Sequence, residues 1–570
     1  MIKYRCSQHN ITFQASECPI CHKRGELDTS EIYWCDTCRV PLYEQTCSLC
    51  GSQAKRLAGD LRPVFPQERL LVEIILGKPF EYQDSSVWNG MGNRYFADGK
   101  KINFSIAALK NADIDNIFRQ YKELESRNSD KTFWMIIKKW CQANRSRFQE
   151  ISSEAMDYVR EKAQDYKLSE MFVSFSGGKD STVVSDIVQK SLGDKKVLHI
   201  FGDTTLEFPD TYRYVSRFKK EHQGIPLVTV KNKEKNFEDL CTILGPPSRV
   251  MRWCCTVFKT GAISRKIDVL FKGKKSILTF YGIRRNESAS RSKYDRESDS
   301  PKIAVQRTVS PIIDWMDYDV WLYILSSGID FNDAYRLGYV RVGCWCCPNN
   351  SGWSEFLSKI HMKEQYQRFS DILIEFAKKV GKTDPEVYVD EGKWKARQGG
   401  NGLEYARKSL VDFKPCALEE DTFNYELQIP ISEELYELFK PFGELNRDLG
   451  NKRLNEIYIL NHAGQLQIKL QGRIGSTLLK VSILNRRLSG ARGLREAEEK
   501  IRCQITKYQM CMGCNACEAI CRHGAISIKE KEGTKVLYQI DDKQCVRCGA
   551  CINHFNGGCY MRKVLTIKRQ

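Results

Sequence analysis

The stretch MFVSFSGGKDSTVVSDIVQKSL, residues 171–192, passes from an apolar run ending at Phe175 into a helical pattern starting near Asp180, with two glycines between. Strand, tight turn and helix in that order gather backbone N–H groups and a helix N-terminus around one point, an arrangement that binds phosphate. Gly177 and Gly178 let the backbone approach a ligand, Lys179 adds a cation, and Ser174, Ser176 and Ser181 offer hydroxyls. Asp180 reads as a helix cap or Mg2+ partner rather than a phosphate ligand. The spacing is not GxxxxGK[ST], so chemistry at a γ-phosphate is not indicated. The next strand-like segment, KKVLHIFGDTTLEFPDTYRYV, sets Asp203 after an apolar run, as expected at the carboxyl end of a parallel strand where nucleotides bind. The expected fold class is α/β, with a parallel-sheet core.

SGGKDS resembles the PP-loop of ATP pyrophosphatases, which cut between the α- and β-phosphates and leave an adenylylated substrate. That resemblance makes Lys179 and Asp180 the implied catalytic residues. RWCCTVFKTGAI, YGIRRNESASR, SPIIDWMDYDVWLYI and AYRLGYVRVGCWCCP follow in order. Together the motifs from about Met171 to Pro348 resemble the adenylyl-sulfate and phosphoadenylyl-sulfate (PAPS) reductases, a branch of the PP-loop, adenine nucleotide alpha hydrolase-like fold. The resemblance implies that Arg284, Arg285 and Arg291 contact phosphate, a role suited to a planar guanidinium. It also implies a [4Fe-4S] cluster on Cys254, Cys255, Cys344 and Cys347, with zinc or free redox thiols as the alternatives. Cys346, left over inside CWCC, is either a sulfur-relay thiol or an inert buried cysteine.

Two departures shift the functional expectation. No ECG-x-H tail carrying the reductases' catalytic cysteine occurs, and the loop, degraded in those enzymes, is intact. An intact loop joined to a reductase-like cysteine set resembles more closely the DNA phosphorothioation sulfurtransferases of the Dnd and Ssp systems, and tRNA thiolation enzymes. The implied chemistry is ATP- and Mg2+-dependent sulfur insertion into nucleic acid, DNA before tRNA. A cysteine desulfurase would be the sulfur donor, and other proteins of a phosphorothioation complex the partners. Sulfate reduction fed by fused iron–sulfur clusters is the alternative.

Cysteines also crowd both ends. Cys6-x2-His9-x8-Cys18-x2-Cys21 is repeated by Cys35-x2-Cys38-x8-Cys47-x2-Cys50, each ligand 29 residues after its counterpart. Each set supplies four ligands in two close pairs, which suits a closed tetrahedral Zn2+ site and predicts two zinc ribbons. Ligation within or across the sets stays open. Near the other end, Cys511-x2-Cys514-x2-Cys517-x3-Cys521 and Cys545-x2-Cys548-x2-Cys551-x7-Cys559 resemble a bacterial-type ferredoxin with two [4Fe-4S] clusters. In that family the last cysteine of each run crosses over, which implies one set of Cys511, Cys514, Cys517 and Cys559 and another of Cys545, Cys548, Cys551 and Cys521.

The 570 residues carry 89 Lys+Arg against 71 Asp+Glu, a net charge of +18 that favours polyanionic partners. No apolar run reaches about 18 residues, and MIKYRCSQHN lacks a signal-peptide core, so a cytoplasmic protein without a membrane partner is expected. The expected organisation is zinc ribbons at 1–58, a small α+β module resembling PUA-like wings at 59–150, and the PP-loop core at 151–350. A helical extension with a basic loop at 351–425, a second α+β module at 426–500 and the ferredoxin domain at 501–570 follow. The basic loop, EGKWKARQGGNGLEYARKS, reads either as a flexible solvated linker or as a nucleic-acid contact with Trp394 available for stacking.

Overall fold

The computed structural model describes residues 4–5, 12–13, 17–22, 26–27, 31–193, 196–288, 291–300, 303, 305–530, 536–554 and 558–567. The core is a six-stranded sheet of β1 (Met171–Phe175), β2 (Leu198–Asp203), β3 (Leu227–Lys231), β4 (Ile277–Phe280), β5 (Glu297–Asp299) and β6 (Gln306–Val309). Its order is β3-β2-β1-β4-β6-β5, parallel throughout except that β5 runs antiparallel to β6. β1 is apolar on both sides because both of its faces are covered. Met171 and Val173 pack with the helices Arg145–Ala163, Lys179–Ser191 and Asp317–Ser327, while Phe172 packs with Ile263 and Ile267 of the helix Gly261–Leu270. The chain runs outward from β1 to β3 and then returns to β4 on the other side of β1. The carboxyl ends of β1 and β4 therefore flank a topological switch point, where ligands of open α/β sheets bind.

An antiparallel sheet of Leu61–Pro63, Val87–Gly90, Arg94–Ala97 and Lys100–Lys101 precedes the core. A 3-10 turn, Ile106–Asn111, follows, and then the helix Ile114–Leu124, whose N-terminus Asp113 caps by accepting from the Asn116 N–H. This part is anchored to the core by charge. Arg147 donates from Nε and Nη2 to the two carboxylate oxygens of Asp319 at 2.9 and 3.0 Å, with both residues buried. Asp60 accepts from the N–H groups of Asp317 and Tyr318, 3.0 Å each, at the start of the Asp317–Ser327 helix.

Beyond the core lie the helices Gly352–His361, Lys363–Lys379 and Pro385–Asp390. The basic segment that follows is not a flexible solvated linker: Trp394 is 5% exposed and Lys395 8%. Trp394 packs edge-on against Phe369, ring centroids 5.6 Å apart, and the Lys395 ammonium is paired with Glu355, which lets the lysine go under. The next sheet is antiparallel and begins at Asp412, earlier than the expected start of the second α+β module at residue 426. Its six strands enclose one short helix, Glu433–Glu437. The helix Leu494–Met510 then leads into the last cysteine runs, which flank the hairpin Ile526–Glu530 and Val536–Ile540. Among the described residues no helix is long and apolar enough to cross a membrane.

Candidate active site and its cysteine centres

The loop after β1 turns at Gly177, whose φ of +69° favours glycine. A Cβ there would sit 3.0 Å from Thr211 Cγ2, and one on Gly178 would sit 3.2 Å from the Tyr335 hydroxyl. The same hydroxyl accepts from the Lys179 N–H at 2.9 Å, and Asn332 Nδ2 donates to the Gly177 carbonyl at 3.0 Å. Ser181 Oγ accepts from the Ser176 N–H and Oγ, each at 3.1 Å, so these two serines fix the loop's shape. Ser174 is half-buried on β1. After β4 the chain crosses the loop so closely that a Cβ on Gly282 would lie 2.6 Å from the Asp180 carbonyl carbon.

Four charges interlock behind the loop. Lys179 Nζ lies 3.1 Å from Asp180 Oδ2 and 3.3 Å from Asp317 Oδ1. Arg284 donates from Nε to Asp180 Oδ1 at 2.5 Å, from Nη2 to Asp317 Oδ1 at 2.7 Å and from Nη1 to the Trp315 carbonyl at 3.3 Å. Burial alone would lower Lys179 and Arg284, but the two carboxylates hold both cations above their usual values. Burial likewise works against the ionised carboxylates, and Lys179 and Arg284 override it, holding Asp180 and Asp317 low. Asp60 carries the opposite sign: burial and the neighbouring Asp317 push it up to about 7.

The three arginines expected on phosphate divide. Arg284 is internal to this cage. Arg285 is buried, pairs with Asp314 and donates from Nε to the Tyr294 carbonyl at 3.0 Å. Only Arg291 is part-exposed; it contacts Glu287, and burial together with nearby Arg341 lowers it to about 10. An anion between Arg291 and Arg341 would relieve that repulsion. Asp203 closes β2, accepting at Oδ1 from the Thr205 N–H and the Tyr212 hydroxyl, 2.8 Å each. Asp60, Asp317, Tyr335 and Arg341 escape sequence reading because their partners lie far away in the chain. The acidic start of the DWMDYD helix is the one local signal.

Cys254, Cys255, Cys344 and Cys347 converge beside the end of β2. Thr204 Oγ1 is 3.3 Å from Cys344 Sγ, and Glu207 bridges to Cys344 through the backbone. The Cys255 thiol and then burial push Cys254 well up; burial does the same to Cys344 and raises Cys347. Half-buried thiols held protonated in this way release their protons most readily to a soft metal, and four cysteine sulfurs are a donor set that suits one. Cys346 is 6% exposed in an apolar cluster, and burial pushes its thiol well above the ordinary range. That environment is that of an inert cysteine rather than a reactive one.

At the carboxyl end Cys559 lies with Cys511, Cys514 and Cys517, while Cys521, Cys545, Cys548 and Cys551 line one recess, the crossed arrangement expected of the two runs. Lys507, buried between them, donates to the Cys551 carbonyl at 3.1 Å and brings a cation to both sets. The first set abuts the core. Tyr560 contacts Thr256 beside Cys254 and Cys255, and a Cβ on Gly261 would sit 3.3 Å from the Cys514 carbonyl. At the amino end the Sγ atoms of Cys35, Cys38, Cys47 and Cys50 lie within 4.8 Å of one another, so the second set gathers its own four cysteines and could hold a metal ion such as Zn2+. In the first set Cys18 is buried and Cys21 half-buried, while Cys6 and His9 lie outside the described residues.

Residues 170–350 match the phosphoadenosine phosphosulfate reductase domain, and residues 510–554 the 4Fe-4S dicluster domain. An uncharacterized protein of Methanocaldococcus jannaschii is 31% identical over 264 residues, 45% of this chain and 60% of its own length, so the chain spans less than two thirds of that relative. An adenosine 5'-phosphosulfate reductase of Neisseria meningitidis serogroup B is 37% identical over 182 residues, 30% of this chain and 67% of the reductase. Among solved structures, a phosphoadenylyl-sulfate (PAPS) reductase from Candida auris aligns with a TM-score of 0.26 at 17% identity, covering 34% of this chain and 95% of its own. Through its PP-loop core, followed by a 4Fe-4S dicluster domain, the chain belongs to the phosphoadenosine phosphosulfate reductase family.

Proposed function

We propose that this protein inserts sulfur into nucleic acid at the expense of ATP, with DNA phosphorothioation as the specific case and tRNA thiolation as the same chemistry on another polymer. The observation that carries the reading is the loop itself. Lys179, Asp180, Asp317 and Arg284 form a charge-balanced cage at the switch point, and Cys344 lies beside Thr204 at the end of the neighbouring strand β2. Asp180 and Asp317 are the carboxylates that would hold Mg2+ arriving with ATP, which frees Lys179 for phosphate. An acceptor oxygen attacks the α-phosphorus, the bond to the β-phosphate breaks, and pyrophosphate leaves. Sulfur then displaces AMP, with the acceptor–oxygen bond breaking as the bond to sulfur forms.

A persulfide from a cysteine desulfurase, attacking through its outer sulfur, leaves a disulfide to the acceptor whose cleavage takes two electrons. When bound, clusters in the dicluster domain supply electrons one at a time, and Cys254, Cys255, Cys344 and Cys347 would hold a further [4Fe-4S] cluster on their route. A second reading, reduction of an adenylyl sulfate to sulfite, is favoured by the names of the relatives; the intact SGGKDS loop favours the first. Protein purified without oxygen and incubated with ATP and Mg2+ should release pyrophosphate and AMP, stimulated by DNA or tRNA. Sulfite from adenylyl sulfate, with no pyrophosphate from ATP under any polymer, would establish the second reading instead.

A further inference from the structure

Two cavities meet at Trp345 and Phe369, the residues that border the core cysteines. One, of about 550 Å3, is walled by Trp345, Tyr366, Phe369 and Trp394 and reaches Cys346 and Cys347. Its volume falls within the range of small-molecule sites. The other, of about 800 Å3, opens beside Thr205 and Leu206 and is flanked by the cations Lys231, Lys233, Lys235 and Arg368, which outnumber its carboxylates Glu234, Glu238 and Asp239. Lys231 and Lys233 are exposed at the end of β3, and Arg368 is held only by a surface pair with Glu238. The chemistry of the two is complementary. The aromatic cavity is walled by the carboxylates Glu355, paired with Lys395, Glu391, paired with Lys393, and Asp390, whose oxygens can accept from ring amino groups. Glu355 and Asp390 also help to push the Tyr366 phenol up, after burial, which sets them close to that ring. The open groove supplies the cations that a phosphate backbone needs.

Resting on the reading of the protein as a nucleic-acid-modifying enzyme, we infer that these cavities form one acceptor site for single-stranded nucleic acid. The backbone lies along Lys231, Lys233 and Arg368, and one unpaired base enters between Trp345, Tyr366 and Trp394. A base held there lies against Cys347, and the adjoining phosphates reach the face of the core that carries Thr204 and Cys344. A duplex, with its bases stacked inside, could use only the groove. Stacking also tolerates any base, because each has a π-face.

The test uses the full chain and a fluorescein-labelled DNA strand of about 12 nucleotides, alone or paired with its complement. Anisotropy should show the single strand bound roughly tenfold or more tighter than the duplex. Lys231→Glu/Lys233→Glu should weaken binding of every sequence and reduce the salt slope by about 0.7 for each phosphate no longer neutralised. Tyr366→Ala should weaken the single strand by roughly tenfold and leave that slope unchanged. Iron content equal to wild type confirms that each variant is folded. Equal affinity for strand and duplex, or wild-type binding by both variants, overturns the inference. Pyrophosphate release keeps the two readings apart: expected binding without polymer-stimulated release retires the proposed reaction and leaves the site. Polymer-stimulated release that survives both sets of substitutions retires the site and leaves the reaction.

Discussion

Arg284 discriminates between two accounts of the nucleotide site. If it is a phosphate ligand, Arg284→Met should weaken ATP binding and leave the fold alone. The cage makes the opposite prediction. Arg284 is 4% exposed and spends its donors on Asp180, Asp317 and the Trp315 carbonyl, so its removal leaves two largely buried carboxylates to share Lys179, with Arg62 acting on Asp317 as well. Breaking a buried pair by deleting one partner costs about 3–5 kcal/mol. Because Lys179 still compensates, the lower end, about 3 kcal/mol, is expected. Native-state hydrogen exchange reads this locally: amides of the Lys179–Ser191 helix that exchange through opening of the core should speed up by about 150-fold. Arg284→Lys, which keeps the charge but not the fork, should fall between. Unchanged exchange in Arg284→Met, with a raised KM for ATP, would refute the cage as a structural device and return Arg284 to the phosphate.

Gly282→Ala places a methyl 2.6 Å from the Asp180 carbonyl carbon and should abolish ATP turnover by shifting the loop, while iron and zinc contents stay at wild-type levels. Cys254→Ala should lower iron by about four atoms per chain and leave the dicluster signal in the electron paramagnetic resonance spectrum; full iron content would contradict the core donor set. Cys35→Ser should release zinc and no iron, measured by elemental analysis, because its four-thiol site stands apart from both cysteine centres. Asp60 sets a pH dependence. A carboxyl raised to about 7 stabilises the fold fully below the usual carboxylate range and loses that contribution as pH climbs to about 7. Asp180 and Asp317, held low, act in the opposite sense and only below about pH 4. Asp60→Asn should therefore flatten the fall in stability between about pH 4 and 7 seen by chemical denaturation; an unchanged slope would remove Asp60 as its source.

The sequence announces what is local. SGGKDS between an apolar run and a helical pattern shows strand, turn and helix because glycine conformation, serine hydroxyls and helix periodicity all act within a few residues. Cysteine spacing is legible for the same reason: the ribbon on Cys35, Cys38, Cys47 and Cys50 needs nothing beyond its own 16 residues. What stays hidden is the pairing that decides whether a charged side chain faces a ligand or another part of the chain. Arg284, Arg285 and Arg291 look alike in YGIRRNESASR, yet Asp180 and Asp317 claim the first and Asp314 the second. Trp394 and Lys395 can be read as solvated because the basic segment around them is polar. Glu355, some 40 residues earlier, removes the cost of burying the lysine.

The placement of the dicluster domain against the core follows from a local irregularity. Adjacent residues on an α-helix point about 100° apart, so Cys254 and Cys255 would ordinarily diverge. Here a π-helical turn, Cys255–Thr260, starts at the pair and runs straight into the Gly261–Leu270 helix. Such turns widen the helix at functional sites, and this one brings both thiols toward Cys344. The same turn forms the docking surface: Gly261, lacking a side chain, admits the Cys514 carbonyl and Asn515, and Thr256 meets Tyr560. Trp253, Phe258, Met510, Met512, Cys514 and Cys559 then join Cys346 in one apolar cluster. Cysteine sets at least 164 residues apart in the chain thus share an apolar interface. A side chain on Gly261 would press on Asn515 and the backbone carbonyl of Cys514 and force that interface open, rather than meet a ligand sulfur first. Gly261→Leu should therefore keep its full complement of iron yet slow reduction of the core set by the dicluster domain, and undiminished transfer in rapid-freeze spectra would show that electrons take another route.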